Sequence, residues 1–237
     1  MKILVINCGS SSLKFSLFNC DKECTETAVG HIDRIGLKNT KFTFKSTQYN
    51  LGLTIKCKSH SEAINIATKT LIKSNVIKNL SEINYVSHRV VHGGEKYKKA
   101  TLIDQTTIKN IEKFSRLAPL HNPINLEGIK ACKKLFPKTK QVAVFDTSFL
   151  QTLPEKAYLY AIPKYFHSKF NIRKYGFHGT NHKYITSETI KLLKGNKTKK
   201  IISCHLGNGS SITASVDGKA VETSMGFTPL EGLPMGT

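Results

Sequence analysis

The sequence predicts an α/β protein built on a duplicated unit. Three features predict it: a strand–turn–strand at the start, a second copy of its pattern near residue 210, and alternating helix-spaced and strand-length segments between them. Lys2 to Ile6 is a short, nearly all-apolar run rich in β-branched residues, which reads as a buried strand. Asn7-Cys8-Gly9-Ser10-Ser11-Ser12 turns the chain, and Leu13, Phe15 and Leu17 alternate along a returning strand. Such a turn offers backbone N–H groups and hydroxyls with no bulky side chain before them, which suits phosphate oxygens. Lys14 adds a positive charge beside it. The G-x-x-x-x-G-K-[ST] spacing and a following helix are missing, so this is not a P-loop. A plain serine-rich hairpin has the same local pattern.

The second copy favours the phosphate reading. Ile201 to Leu206 is again a strand-length run, Gly207-Asn208-Gly209 turns it, and Ser210 to Val216 follows. Residues 11–17 and 210–216 share S-S-Φ-x-Φ-S-Φ, with Φ apolar. Two phosphate-suited hairpins, each opening one half, predict a nucleotide held between halves. That layout is similar to the actin, Hsp70 and sugar kinase superfamily.

Composition bounds the rest. At 237 residues, 39 % of them hydrophobic, the chain is long enough for one large or two small cores. No apolar run approaches the ~20 residues of a membrane span, and no basic–apolar–small leader opens the sequence; neither membrane nor export is expected. Cysteines 8, 20, 24, 57, 132 and 204 contain no C-x-x-C pair and read as small buried or incidental thiols of a reducing cytoplasm. The net charge of +20 admits three readings: nucleic-acid binding, attraction of phosphates, or a compositional lysine bias. Lysine is scattered, and its dense run, Lys194 to Lys200, lies between a helix and a strand. A solvated loop is the expectation there, and no nucleic-acid partner is expected.

In order, Thr27–Ile35, Lys41–Lys45 and Leu51–Lys56 alternate as strands. Ser59 with Glu62 is a capping box, and Ile64, Ala67, Leu71 and Ile72 give a helix over 60–73. Ile83–Val91 is a strand running into His92-Gly93-Gly94. Asp104 caps a helix carrying Ile108, Ile111 and Phe114, and Asn122-Pro123 reads as cap and first-turn proline of the next. Gln141–Phe145 is a strand with Asp146 at its carboxyl end, where ligands gather in such sheets. A linking region over 147–175 carries Tyr158, Tyr160, Tyr165 and Phe166. Tyr175 to His182 then leads into a helix with Ile185, Ile190 and Leu193, ended by Gly195, and Ala220–Thr223 forms a third strand of the second hairpin. The domains expected are 1–146 and 147–237.

Asn7-Cys8-Gly9-Ser10-Ser11-Ser12-Leu13-Lys14 resembles the N-x-G-S-S-S-x-K signature of the acetate kinase (acetokinase) family. Tyr175 to His182 resembles its G-F-H-G-T-S-H signature, with Asn181 where serine is usual. His88 to Gly94, Leu120 to Pro123, Phe145 to Phe149, His205 to Ser211 and Met225 to Thr237 resemble further blocks, in family order. The resemblance implies a duplicated ribonuclease H-like fold with its second domain incomplete, and a cytoplasmic homodimer. It implies ATP + acetate ⇌ acetyl phosphate + ADP by direct in-line transfer, with Mg²⁺ or Mn²⁺ as cofactor and ATP as substrate. Arg89, Asp146 and His178 are then the catalytic residues, with Arg89 gripping carboxylate and phosphoryl group by its fork of donors. His178 stabilises the transition state. Asn7 lies near the metal. Lys14, Ser10, Ser12, His205, Leu206, Gly207, Asn208 and Gly209 bind the nucleotide phosphates, while Val91, Leu120, Phe177 and Pro229 enclose the acetate methyl.

Taken singly, these residues have plainer readings. Arg89 would be a surface ion-pairing residue and Asp146 a turn cap. The methyl pocket would be ordinary core. His178 and His182 are four apart, but the glycine between them at a helix start argues for capping or core roles over a metal pair. Family members continue through M-G-T-R-S-G-D, whereas this sequence stops at Thr237, so the family's second arginine and a metal-binding glutamate are expected beyond it. The sequence therefore reads as an N-terminal portion of an acetate kinase, inactive alone. The alternatives are a non-catalytic remnant and a kinase for propionate or butyrate.

Overall fold

The computed structural model describes residues 1–193 and 198–236, so the expected helix stop at Gly195 and most of the lysine run fall outside the described residues. Two compact units divide the chain: Met1–Val90 with Thr101–Val144, and Val91–Ala100 with the chain from Phe145 onward.

The first unit opens on β1 (Lys2–Cys8), β2 (Ser12–Cys20), β3 (Cys24–Asp33), β4 (Thr40–Ser46) and β5 (Asn50–Ile55), an antiparallel meander. Helix α1 (His60–Lys73) leads to β6 (Ile83–Val90), which pairs parallel with β1. Then come β7 (Thr101–Leu102), α2 (Gln105–Phe114), α3 (Asn122–Leu135) and β8 (Lys140–Phe145). The sheet order is β5-β4-β3-β2-β1-β6-β8-β7. Leu4, Ile6, Leu13, Phe15, Leu17, Ile32, Phe42 and Phe44 close one face of it against Ile64 and Leu71 of α1 and Cys132 of α3.

Helix starts follow local chemistry. Ser59 Oγ accepts the Glu62 N–H at 3.2 Å, while the Glu62 carboxylate reaches back to the N–H of Lys58 at 2.7 Å, one residue further than in a simple capping box. Asp104 accepts the Thr107 N–H at 2.6 Å. Asn122 is not the cap expected of it: His121 takes that position, and Asn122 is a buried first-turn residue whose Nδ2 donates to Ile111 O at 3.4 Å.

Two cysteines also depart from the free, incidental role expected. Cys20 and Cys24 are disulfide-bonded, because the β2–β3 register sets them directly opposite each other with Cα atoms 4.0 Å apart. Cys8, Cys57 and Cys132 are free and buried, and Cys204 is free and exposed.

The second unit contains α4 (Glu155–Tyr158), α5 (Tyr165–Phe170), α6 (Gly179–Leu192) and a three-stranded antiparallel sheet of β9 (Lys200–Leu206), β10 (Ser210–Val216) and β11 (Lys219–Thr223), ordered β11-β10-β9. A break after 146 does not anticipate that Val91–Ala100 belongs here. Packing decides it: Tyr97 stacks on Phe145 with ring centroids 4.4 Å apart, and Glu95 accepts from Arg173 Nη1 at 2.7 Å. Burial works to raise the Glu95 pKa, and its hydrogen bonds from Arg173 and His167 outweigh that and lower it.

Helix α6 does not bury the apolar stripe that its spacing predicts. Its buried residues are Gly179, His182 and Thr186, while Ile185 is exposed. The sheet supplies the reason, because Ser203, Ser211, Thr213, Ser215 and Thr223 are all buried in this unit. A side chain facing hydroxyls is more stable with groups that answer their hydrogen bonds.

Candidate active site

In the first unit, β1 and β6 run in parallel with Ile6 opposite His88, so Asn7 and Arg89 follow side by side at the carboxyl ends. Arg89 Nη1 donates to Asn7 Oδ1 at 3.3 Å. The turn beyond Asn7 is fixed from three sides. The Gly9 N–H donates to Ser12 O at 2.8 Å, Asn125 Nδ2 donates to Cys8 O at 2.9 Å, and His60 Nε2 donates to Gly9 O at 2.7 Å. Ser10 and Lys14 are exposed and Ser12 is half-buried. Leu120 sits in the turn before α3 and is 73 % exposed.

Sequence reasoning missed His60 and Asn125. Their signal was a polar residue on a buried helical stripe: Asn125 interrupts the series Leu126, Ile129 and Cys132 on α3, and it holds the Cys8 carbonyl.

In the second unit, Asp146 directly follows β8 at 1 % exposure, and its Oδ1 accepts from Thr180 Oγ1 at 2.8 Å. His178 precedes α6 in the left-handed region, with φ 58° and ψ 18°, a conformation that non-glycine residues adopt mostly where surroundings enforce it. Gly179 follows because a Cβ there would lie 2.1 Å from Asp146 O. These two constraints seat the His178 ring. Its Nδ1 is 2.9 Å from Ser211 Oγ, and it stacks on His205 with centroids 4.0 Å apart and planes inclined by 19°. Its Nε2 is turned to the Gly207–Gly209 turn, 3.0 Å from where a Cβ on Gly209 would stand.

His205 is oriented in turn by Asn181, whose Nδ2 donates to its Nδ1 at 3.0 Å. An amide nitrogen only donates, so this Nδ1 accepts. His182 is buried between Ser203 Oγ and Ser211 Oγ, each 2.7 Å from a ring nitrogen. Burial, and then the nearness of His178 and His205, push its pKa down to about 4. Burial also pushes His88 and His92 down to about 4. Val91 and Phe177 pack together with Met225, and Met235 lies against them. Pro229 is half-buried and Leu206, Gly207 and Asn208 are exposed. Gly236 N–H donates to Asn208 O at 2.9 Å.

Each unit by itself carries groups suited to an anion whose charge grows during reaction: the first an arginine fork, the second an oriented imidazole beside a glycine turn with open main chain. The donor chemistry also fits a hard divalent cation, which takes one or two protein oxygens and completes its shell with water and phosphate. Asn7 in the first unit carries one such oxygen, and Asp146 in the second unit carries two. No cluster of three or more His, Cys, Asp or Glu side chains that could hold a metal ion occurs among the described residues.

A model of the acetokinase family matches residues 2–237. An acetate kinase of Desulfitobacterium hafniense (strain DSM 10664 / DCB-2) is 53 % identical over 241 residues, and acetate kinase 2 of Clostridium perfringens is 51 % identical; each comparison covers 100 % of this chain and 60 % of the relative. The solved structure of a propionate kinase from Francisella tularensis superposes with a TM-score of 0.92 at 44 % identity. That of Porphyromonas gingivalis acetate kinase superposes with a TM-score of 0.90 at 42 % identity. Both likenesses cover 100 % of this chain and 60 % of the other, so the chain spans 60 % of the length of the relatives it matches.

Proposed function

Because the chain belongs to the acetokinase family, we propose that it carries the acyl-acceptor and phosphoryl-transfer residues of an acetate kinase, ATP + acetate ⇌ acetyl phosphate + ADP. Catalysis of phosphoryl transfer is chiefly positioning and charge stabilisation, and the roles divide accordingly. Arg89 holds the carboxylate and then the moving phosphoryl group. His178 donates from Nε2 to the phosphoryl oxygens as charge develops. Ser10, Ser12 and Lys14 in one turn, and His205 to Gly209 in the other, hold phosphates. Asn7 and Asp146 would hold Mg²⁺ or Mn²⁺, which when bound neutralises phosphate charge. Val91, Phe177, Leu120 and Pro229 enclose the acyl methyl. Homodimeric assembly and a cytoplasmic location belong to the same proposal.

What supports this reading most is the seating of His178, with Nε2 turned to Gly209 and its ring stacked on His205. A core histidine needs no left-handed backbone and no glycine at its tip. The likeness to a propionate kinase supports propionate as a second acceptor.

The test is a fusion of this chain to the part of the Desulfitobacterium hafniense enzyme that it does not span, assayed by trapping acetyl phosphate as the hydroxamate. ATP- and acetate-dependent product is expected. His178→Ala should lower kcat by about 2.7–4 kcal/mol with KM for acetate little changed. Arg89→Ala should impair both, and Arg89→Lys should restore little. A folded fusion that makes no acyl phosphate from acetate or propionate would defeat the proposal.

A further inference from the structure

The carbonyls of the first turn are tied down from behind. His60 Nε2 donates to Gly9 O at 2.7 Å, Asn125 Nδ2 donates to Cys8 O at 2.9 Å, and the Ile35 N–H donates to Ser11 O at 2.8 Å. A carbonyl only accepts, so His60 carries a proton on Nε2 and Asn125 presents its amide nitrogen. Both donors are placed by helix starts. His60 is the first residue of α1, behind the Ser59 cap, and is 6 % exposed. Asn125 ends the first turn of α3 and is 3 % exposed. Three residues on and on the same side of the helix, Gly128 lets α3 come close: a Cβ there would stand 2.6 Å from Cys8 Sγ. Glu127 Oε2 lies 3.9 Å from His60 Nδ1, so α3 also brackets the ring.

The turn's polarity follows from these bonds. The described chain has no cis peptide bond, and across a trans peptide the C=O and the next N–H point opposite ways. Asn125 on Cys8 O therefore sends the Gly9 N–H to the other side, where it donates to Ser12 O at 2.8 Å and closes the turn. His60 on Gly9 O turns the Ser10 N–H away from α1 in the same way. Ser10 is exposed, and its N–H donates to no group among the described residues. An outward N–H held by a buried partner on its carbonyl is a preset donor for an anion.

We propose that His60 and Asn125 are positioning residues for the nucleotide phosphates: Asn125 closes the turn through Cys8 O, and His60 aims the Ser10 N–H outward at a phosphate oxygen. The inference rests on the reading of this turn as one that holds phosphates, and it extends that reading to the two buried side chains behind it.

The experiment is a series of ¹H–¹⁵N spectra of the 237-residue chain titrated with tripolyphosphate at about 0.15 M salt, which screens exposed lysines. The Ser10 amide should move downfield and saturate. His60→Leu removes one donor and Asn125→Leu the other, and each should weaken the binding read at Ser10 about ten-fold, the share of one hydrogen bond to a charged group. His60→Gln keeps a nitrogen donor and should restore most of the affinity. A role in packing alone would lower urea stability and leave the Ser10 dissociation constant unchanged in the folded variants, which overturns the inference. So does a His60→Gln chain that binds as weakly as His60→Leu. A parent Ser10 amide that does not respond to tripolyphosphate overturns it with no variant needed. The kinase reading fails separately: a folded fusion that makes no acyl phosphate, beside a His60-dependent response at Ser10, would defeat that reading and keep this inference.

Discussion

The two hairpins share a seven-residue pattern and bury opposite faces of it. On β2 the inward positions are Leu13, Phe15 and Leu17; on β10 they are Ser211, Thr213 and Ser215, with Ile212, Ala214 and Val216 half-buried. Beneath α1 and α3 the first unit packs leucine, isoleucine and phenylalanine. Under α6 the second unit places hydroxyls and a histidine, linked by Thr213 Oγ1 to Thr223 Oγ1 at 3.0 Å and by Ser215 Oγ to Thr186 Oγ1 at 3.4 Å. Alternation gives the period of a strand but not which side is inside. Apolar burial is non-directional and tolerates repacking. A hydroxyl network is directional, and each member fixes its neighbour's proton. The first interior is suited to holding a sheet together, the second to orienting imidazoles.

The largest expected break of this contrast is in the first unit. Phe15→Ala removes a buried ring that stacks on Phe44 with centroids 6.2 Å apart, and should cost about 3–5 kcal/mol in urea unfolding. A loss below about 1 kcal/mol would mean that this face is not the principal core. Acid should act more on the second unit. His92 and His182 there, and His88 in the first unit, have folded pKa values lowered from 6.5 to about 4. Between those values the unfolded chain binds more protons, so stability is full above about 6.5 and falls as pH drops toward 4. Amide exchange compared at pH 7 and pH 5 should show β10 losing more protection than β2. Equal losses would remove the distinction between the units.

A reciprocal isosteric swap isolates the hydroxyl itself. Val86 is fully buried among apolar groups on β6, so Val86→Thr places an unanswered hydroxyl there, at about 1–3 kcal/mol. Thr213→Val deletes one bond of the polar network, but Thr223 Oγ1 still donates to Ile212 O at 3.3 Å. About 0.5–1.5 kcal/mol is expected. If the second swap proved as costly as the first in urea unfolding, the network would be cooperative beyond its pairwise bonds.

The legibility of the sequence follows the same divide. The helix at 60–73 and the strands of the first meander were readable because period and capping are local. The turn at Gly9 was readable as a phosphate turn, but not the His60 and Asn125 that pin it, since those contacts join residues 51 and 117 positions apart. The stripe on α6 misled because apolar spacing marks an apolar partner, and this helix packs on serine and threonine. Val91–Ala100 changed unit through Tyr97 and Glu95, side chains with no local signal. Cys20 and Cys24 became partners through the β2–β3 register, and a search for C-x-x-C overlooks a pair joined across a hairpin with a separation of 4.

The smallest predicted effect is also the most specific to this chain. Asn181 occupies the place where the signature it resembles has serine, and its Nδ2 reaches His205 Nδ1 at 3.0 Å. A serine hydroxyl stops closer to the backbone, so Asn181→Ser should lose this bond without emptying the core, since Asn181 is half-buried. One such hydrogen bond contributes about 0.5–1.5 kcal/mol net, near the limit of what urea unfolding resolves. Its electronic consequence is easier to see. With the amide donating to Nδ1, neutral His205 keeps its proton on Nε2; without it, both tautomers are populated. Ring ¹⁵N spectra of the parent chain should therefore show a single His205 tautomer, and those of Asn181→Ser a mixture. A parent His205 protonated at Nδ1 would mean that Asn181 presents its oxygen to the ring, and Asn181→Ser would then be expected to release that tautomer instead.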